Sequence, residues 1–498
     1  MFVLEQLQRV ATASPRKLAM VFNGEPLSYG TFWRFIEGCR RSLAPHLPDR
    51  GVAVLWVDSL LESWILIFAL RSLGLDTAVV KGADQVALFD AADVACVITL
   101  ASEPARVVDG ASGLNQLVIG APSKQAVSIA GPAPPMPRAP PPGANILLTS
   151  GTTGRYKKAL NTFGSDPVFM DKRLARYAVL VDGLVQPSEA TVLNVFNMGP
   201  WAGGGNNWPI SIWGLGGAVV FEQSGRIERA LAWPGVTHTL ATPLYLQQLL
   251  DLPEGAFPCC PQMQLIVTAD VVTPLMAKET IRRLTPRIML LVGSTEIGPW
   301  AWSSLTTEAD LRWHRAFPDR RIEVIDEEDA PAQVGELGRI RVELSPDDQA
   351  GYLGDPETSA AVFKEGWFYP GDLGVFDAQG RVSLHGRSSD VLQIKGVKLP
   401  TEPWETAIRE KLGCGAVCVL AGDWVNGVEQ LHVFVQSRRP IPPGELAEAL
   451  RSTISGFGEV QAHVPADLPR TELGKVKRLA LAQLLREGAT DHPQRTSG

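Results

Sequence analysis

Through about the first 300 residues, short apolar runs alternate with stretches whose apolar positions recur at helical spacing. Val52–Val57, Thr77–Val80, Ala95–Leu100 and Gln116–Gly120 are bounded by Gly, Asp or Pro, which predicts buried strands. Between the first two, Glu62–Gly74 carries apolar residues at helical spacing and ends on Gly74, a natural C-cap. Strand, helix, strand at this spacing predicts a parallel sheet covered by helices. No period of 20–50 residues recurs, so a repeat architecture is not expected. The texture changes after about Gly386. Short strands (Ala416–Gly422, Gln430–Ser437) then mix with one or two helices (Pro442–Ile454, Arg478–Gly488). The expected fold is therefore α/β: a large unit, residues 1–387, of parallel or mixed sheets under helices, and a small mobile α+β unit, 388–498.

Composition adds limits rather than identity. With 498 residues and 45% apolar content the chain is ordinary globular protein. Its 46 Lys plus Arg against 53 Asp plus Glu leave a formal charge of −7, which argues against nucleic acid as the main partner. Gly131–Gly143, rich in proline, reads as an extended surface connector. Cys39, Cys96, Cys259, Cys260, Cys414 and Cys418 show no zinc spacing and read as buried small residues of a reducing compartment. Val52–Val80, the most apolar region, is broken by Asp58, Glu62, Arg71 and Asp76 and cannot span a bilayer. The start lacks a signal peptide's apolar stretch, so a cytoplasmic location is expected.

The chemistry concentrates in five places. An apolar run from Asn145 leads into Thr149, Ser150, Gly151, Thr152, Thr153 and Gly154, then Lys157 and Lys158. Glycines let several backbone N–H groups face one point, hydroxyls add donors and lysine adds charge, so the loop suits a polyphosphate. The P-loop spacing GxxxxGK[ST] is absent, and a plain polar turn is the local alternative. Gly293, Ser294, Thr295 and Glu296 follow the apolar run Arg287–Val292. There a hydroxyl for a phosphate oxygen sits beside a carboxylate for magnesium, and a helix N-cap is the competing reading. Asp372, in a Gly-Asp turn, could accept from a ribose diol; Arg387 offers a cation; Lys475 follows a glycine near the end of the chain. Alone, each of these last three reads equally as an aspartate turn, a surface arginine or a solvated basic run.

Taken in order, the set resembles the adenylate-forming superfamily of acyl- and aryl-CoA synthetases, peptide-synthetase adenylation domains and luciferases. LLTSGTTGRYKKAL (147–160) is similar to its phosphate loop and GSTE (293–296) to its GxTE segment. GELGRI together with GYLGDPETSAAVFKEGWFYPGDLG (351–374) resembles its ribose-binding stretch. GRSSDVLQIKGVKLPTEPWE (386–405) resembles its hinge, and PRTELGKVKR (469–478) its terminal lysine motif. The likeness runs from about Leu27 to Arg478. Several positions depart from the family pattern. Tyr156 stands for the usual proline, Lys158 for glycine, and Val292 for the aromatic that stacks on adenine. Pro370 stands for threonine, and Ser389 for an acidic residue beside Asp390. The phosphate, metal and lysine positions survive.

The resemblance implies two steps: a carboxylate attacks the α-phosphorus of ATP, and a thiol then takes the acyl group and expels AMP. It assigns Lys475, Glu296 and Thr295 to catalysis and Glu296 to Mg2+. Nucleotide contacts go to Thr149–Gly154, Lys157, Gly293–Thr295, Asp372, Arg387 and Lys475, and the hinge to Ser389 and Asp390. Asn197 and Trp201 fall in the segment lining the acid pocket. Peptide-synthetase domains have an aspartate near Asn197, and an amide pairs poorly with an ammonium, so a plain carboxylic acid is expected. Core packing is expected for at least two of Trp201, Trp208 and Trp213. The expected acceptor is CoA, with a carrier protein and a non-catalytic nucleotide-binding relative as alternatives.

Overall fold

Three of the four apolar runs become buried strands, and all four lie side by side in a six-stranded sheet of the computed structural model. Gln116–Ile119, at the sheet's edge, has no buried residue and leaves Val118 63% exposed, a correction to its expected burial. Described are residues 2–106, 114–124, 143–150, 156–162, 187–196, 198–346, 348–394, 397–425, 428–437, 439–454, 459–471, 474–487 and 494–496. The order is Gln116–Ile119, Val94–Leu100, Val52–Leu55, Asp76–Val79, Asn145–Ser150 and Tyr156–Asn161. Every pair is parallel except the last, an antiparallel hairpin. Helix Leu60–Ser72 makes the crossover, capped at one end by Ser59 Oγ and followed by Gly74 at φ +87°. It is buried nearly all round because a second sheet lies beyond it. Trp64 meets Trp213 edge to face at 4.9 Å there, in one apolar cluster with Phe32, Phe68 and Phe221. Trp208 and Trp213 are thus core residues, as expected.

Among the described residues the second sheet has fifteen strands. Leu18–Phe22, Ala218–Phe221, Val192–Val195, His238–Ala241, Gln264–Thr268 and Ile288–Ser294 run parallel. The chain then reverses at Gly298–Ser304, and antiparallel strands extend the sheet through Trp313–Ala316, Val382–Arg387, Asp372–Phe376 and Gly338–Glu343. The carboxyl ends of the parallel strands share one edge, the usual place for a ligand in such sheets.

After Arg387 the chain leaves this sheet through a 3₁₀ turn, Ser388–Asp390. A hairpin (Val391–Ile394, Val397–Pro400) and a four-stranded sheet follow, with helices Glu402–Leu412, Pro443–Arg451 and Arg478–Arg486. They enclose a core of their own around Ile408, Val419, Val433 and Leu450. Helix Glu402–Leu412 makes three helices among the described residues where one or two were expected. Its charges at Glu405, Arg409, Glu410 and Lys411 leave only a thin apolar stripe, so the periodicity was hidden.

Cys39, Cys96, Cys414 and Cys418 are buried, whereas Cys259 is exposed and Cys260 half-buried, a correction to the expected burial of all six. Cys259 follows a proline in an irregular surface segment, where packing does not enclose it. Among the described residues no helix is long and apolar enough to cross a membrane. Of the proline-rich connector, 131–142 lies outside the described residues.

Candidate functional site

The stem of the expected phosphate loop is pinned from several sides. Gly143 passes so close to the chain that a Cβ would stand 1.8 Å from the Leu75 carbonyl oxygen, so only glycine fits. Arg71 Nε donates to the Gly143 carbonyl at 2.7 Å, and Asp76 Oδ1 accepts from the Ala144 amide at 2.7 Å. Asn145, fully buried, donates to the Pro200 carbonyl at 3.0 Å and to Asn206 Oδ1 at 2.9 Å. Asn206 and Asn161 both donate to Asn207 Oδ1, at 2.9 and 2.7 Å. Both stems of the hairpin are therefore tied by amides to the start of helix Gly203–Leu215.

Along the hairpin Thr149 lies opposite Lys157 and Ser150 opposite Tyr156. Cross-strand partners share a face, so the Thr149 and Lys157 side chains leave the hairpin on the same side. Thr149 Oγ1 is buried and has no partner among the described residues. The tip, Gly151, Thr152, Thr153 and Gly154, and the expected pocket residue Asn197 lie outside the described residues, as does the side chain of Ser150.

Thr295 and Glu296 occupy the turn between strands Ile288–Ser294 and Gly298–Ser304, a β-hairpin rather than a helix N-cap. A Cβ on Gly293 would meet Pro299 Cα at 2.8 Å, which explains its glycine. A Cβ on Gly203 would touch Thr295 Cα at 3.4 Å, so helix Gly203–Leu215 begins against this turn. Trp201, two residues earlier, lies over Gly199, where a Cβ would collide with its ring at 1.9 Å. The Lys81 ammonium lies 3.6 Å from the Trp201 ring centroid.

Asp372 pairs across the sheet with Arg387, Oδ1 to Nε at 3.0 Å, and Arg387 Nη1 also donates to the Pro370 carbonyl. Burial pushes the Asp372 carboxyl up, against the opposing pull of Arg387 and Lys475. Lys475 remains open to water, yet the protein around it partly desolvates the ammonium. That desolvation, then Arg387, lowers its pKa, while Asp270, Asp372 and Glu296 favour its charged form. Four residues from four separate motifs, Glu296, Asp372, Arg387 and Lys475, thus share one electrostatic environment.

Ser389 and Asp390 turn instead towards the small unit. Ser389 Oγ donates to Asp390 Oδ1 at 2.9 Å, and Asp390 pairs with Arg478 at 3.0 Å. Arg478 also donates to buried Glu405 Oε2 at 2.6 Å, tying the start of the last helix to the turn that leaves the large sheet. Buried ion pairs of this kind fix geometry more surely than they add stability.

Two residues were invisible in the sequence. Tyr352, 7% exposed, donates its hydroxyl to Glu296 Oε1 at 2.7 Å. An aromatic after glycine reads as core packing, and no spacing rule marks it. Asp270 precedes an ordinary helix start, Thr273 capping Pro274–Arg283, and acts on both Lys475 and Arg470. Ala269 before it holds φ +83°, a strained value for a residue with a Cβ.

Comparison with known proteins agrees with this picture. The profile of a family described as AMP-binding enzyme matches residues 7–346. An indoleacetate–CoA ligase of Aromatoleum aromaticum is 26% identical over 68% of this chain and 67% of its own length. A 4-chlorobenzoate–CoA ligase of an Arthrobacter species is 24% identical over 96% of this chain and 93% of its own. In fold, the chain is similar to an O-succinylbenzoate coenzyme A synthetase of Bacillus subtilis solved with ATP and magnesium ion. The TM-score there is 0.77 at 17% identity, covering 96% of this chain and 99% of that one.

Proposed function

Because the chain belongs to the AMP-binding enzyme family, we propose that it joins a small carboxylic acid to a thiol at the expense of ATP, releasing AMP and pyrophosphate, with CoA as the acceptor. The observation that carries this reading is that Glu296, Asp372, Arg387 and Lys475 lie close enough to act on one another's charge, with Lys157 of the hairpin linked to Glu296 through Tyr352. The named activities of the two relatives support CoA and an aromatic acid.

In the first step a carboxylate oxygen bonds to the α-phosphorus as the bond to the pyrophosphate oxygen breaks. Negative charge gathers on the oxygens in flight, and Lys475 and Lys157 stand where positive charge offsets it. Thr149 Oγ1, buried and without a partner among the described residues, is a ready donor to a phosphate oxygen. Asp372 accepts from the ribose hydroxyls while Arg387 fixes its rotamer. In the second step the thiol, losing its proton, bonds to the acyl carbon, and AMP leaves with an oxygen of the acid. No side-chain nucleophile is required.

The residues fit a magnesium ion bound mainly through phosphate. Among the described residues no group of three or more His, Cys, Asp or Glu is placed to hold a metal. Glu296 is therefore the one carboxylate assigned to it, and magnesium commonly takes one or two carboxylates plus phosphates. When bound, the ion adds positive charge at the phosphates. The chain is proposed to be divided at 387/388, with Ser389 and Asp390 as the hinge of the small unit.

The test is pyrophosphate release over a panel of aromatic and short aliphatic acids, with and without CoA. Acid-dependent release that yields an acyl-CoA supports the reading. Release with a thioester formed only on a carrier protein would move the acceptor, and no release with any acid would leave a nucleotide-binding relative. Within the same assay, Asp372→Ala should raise the KM for ATP about tenfold or more and leave that for the acid nearly unchanged. A hydrogen bond to a charged group is worth about 1.5–3 kcal/mol, and about 1.4 kcal/mol is tenfold. Equal shifts in both KM values would remove Asp372 from the ribose.

A further inference from the structure

We infer that Tyr352 is a positioning residue that joins the phosphate-loop hairpin to the carboxylate assigned to magnesium; the inference rests on that assignment of Glu296. Three contacts converge on this side chain. Its hydroxyl donates to Glu296 Oε1 at 2.7 Å, the Lys157 ammonium lies 5.0 Å from its ring centroid, and Phe363 packs edge to face at 5.5 Å. Its backbone is held as well. The Tyr352 amide donates to Ser359 Oγ at 2.8 Å, and the Leu353 amide donates to the Lys158 carbonyl at 2.9 Å, beside Lys157 itself. The ring is therefore fixed with respect to the hairpin before any ligand arrives.

The consequences follow from the chemistry of the two ends. A glutamate in a turn has free torsions, and the hydrogen bond to Oε1 removes that freedom, aiming the other oxygen in a set direction. A phenol keeps its proton at neutral pH, so the hydroxyl is a donor to the carboxylate. The ring face gives Lys157 a fixed stance on the same side of the hairpin as Thr149. One residue thus sets the distance between a phosphate-facing cation and a metal-facing carboxylate.

Two variants separate these roles. Tyr352→Phe keeps the ring, hence the Lys157 and Phe363 contacts, and removes only the hydroxyl. Tyr352→Leu removes the aromatic face too. Calorimetric titration of ATP into each protein, once with magnesium and once with EDTA, reads metal-dependent and metal-independent binding without turnover. The wild type should bind ATP more tightly with magnesium. In Tyr352→Phe that gain should shrink about tenfold, the loss of a charged hydrogen bond, with EDTA binding unchanged. Tyr352→Leu should weaken binding in both conditions. An unaltered magnesium gain in Tyr352→Phe, or identical behaviour of the two variants, overturns the inference while sparing Glu296. A wild type with no magnesium gain overturns both.

Discussion

Lys475→Ala is expected to abolish adenylate formation from acid and ATP, by a hundredfold or more on the order of a lost transition-state cation, yet to leave thioester formation from supplied acyl-adenylate largely intact. The lysine is far from the phosphate hairpin in sequence and reaches the site only because its loop docks there. Gly474 makes that docking possible: it holds φ +88°, and a Cβ on it would stand 2.6 Å from Leu244 Cδ2 and 2.8 Å from Leu244 Cβ. The Thr471 amide donates to the Lys475 carbonyl at 2.8 Å and Arg470 Nη1 to the Gly474 carbonyl at 2.6 Å, which holds Gly474 and Lys475 in place. Outside this loop the polar contacts between the two proposed units include Arg312 and Glu410 at 3.8 Å, both partly exposed. We propose that the small unit swings, which would withdraw Lys475 after the first step. The lowered pKa adds a pH signature: the first half-reaction should begin to fail at a pH below that at which an ordinary lysine loses its proton. If Lys475→Ala slows both half-reactions equally, the lysine is structural or the small unit does not move.

Glu296→Gln should lower pyrophosphate release by orders of magnitude with the fold intact. The amide keeps the size and can still accept from Tyr352, so the Tyr352 contact survives while the charge is lost. Its turn is shaped by Gly293 and Gly298 rather than by the carboxylate, which is why folding should be indifferent to the change. Raising magnesium should recover part of the rate, since a weaker site fills at higher concentration. Full activity of the variant at low magnesium would remove Glu296 from the metal.

Much of the scaffold was legible because its strands are buried on both faces. Runs such as Val52–Leu55 and Val94–Leu100 carry no polar alternation and stop at Gly or Asp. Helix Glu402–Leu412 was not legible, since its charges outnumber the apolar residues that face the core. At the site, glycines and hydroxyls clustered after a strand announced the hairpin, and short motifs named Glu296, Asp372, Arg387 and Lys475. Asp270 and Tyr352 gave no such signal, because their roles come from residues brought near by the fold: Lys475 and Arg470 for one, Glu296 and Lys157 for the other. The turn at Thr295–Glu296 was ambiguous for a related reason. Its helix-like start is overruled by pairing of Ile288–Ser294 with Gly298–Ser304, a contact that local sequence does not encode.

The central claim is that the acid's own oxygen attacks the α-phosphorus at this site. It is tested most directly by supplying the preferred acid with both carboxylate oxygens as oxygen-18, together with ATP, magnesium and CoA, and weighing the products by mass spectrometry. Attack on the α-phosphorus followed by thiol attack on the acyl carbon places one labelled oxygen in AMP for each acyl-CoA formed, and none in pyrophosphate. AMP without the label, or label carried instead by pyrophosphate or inorganic phosphate, would contradict the account.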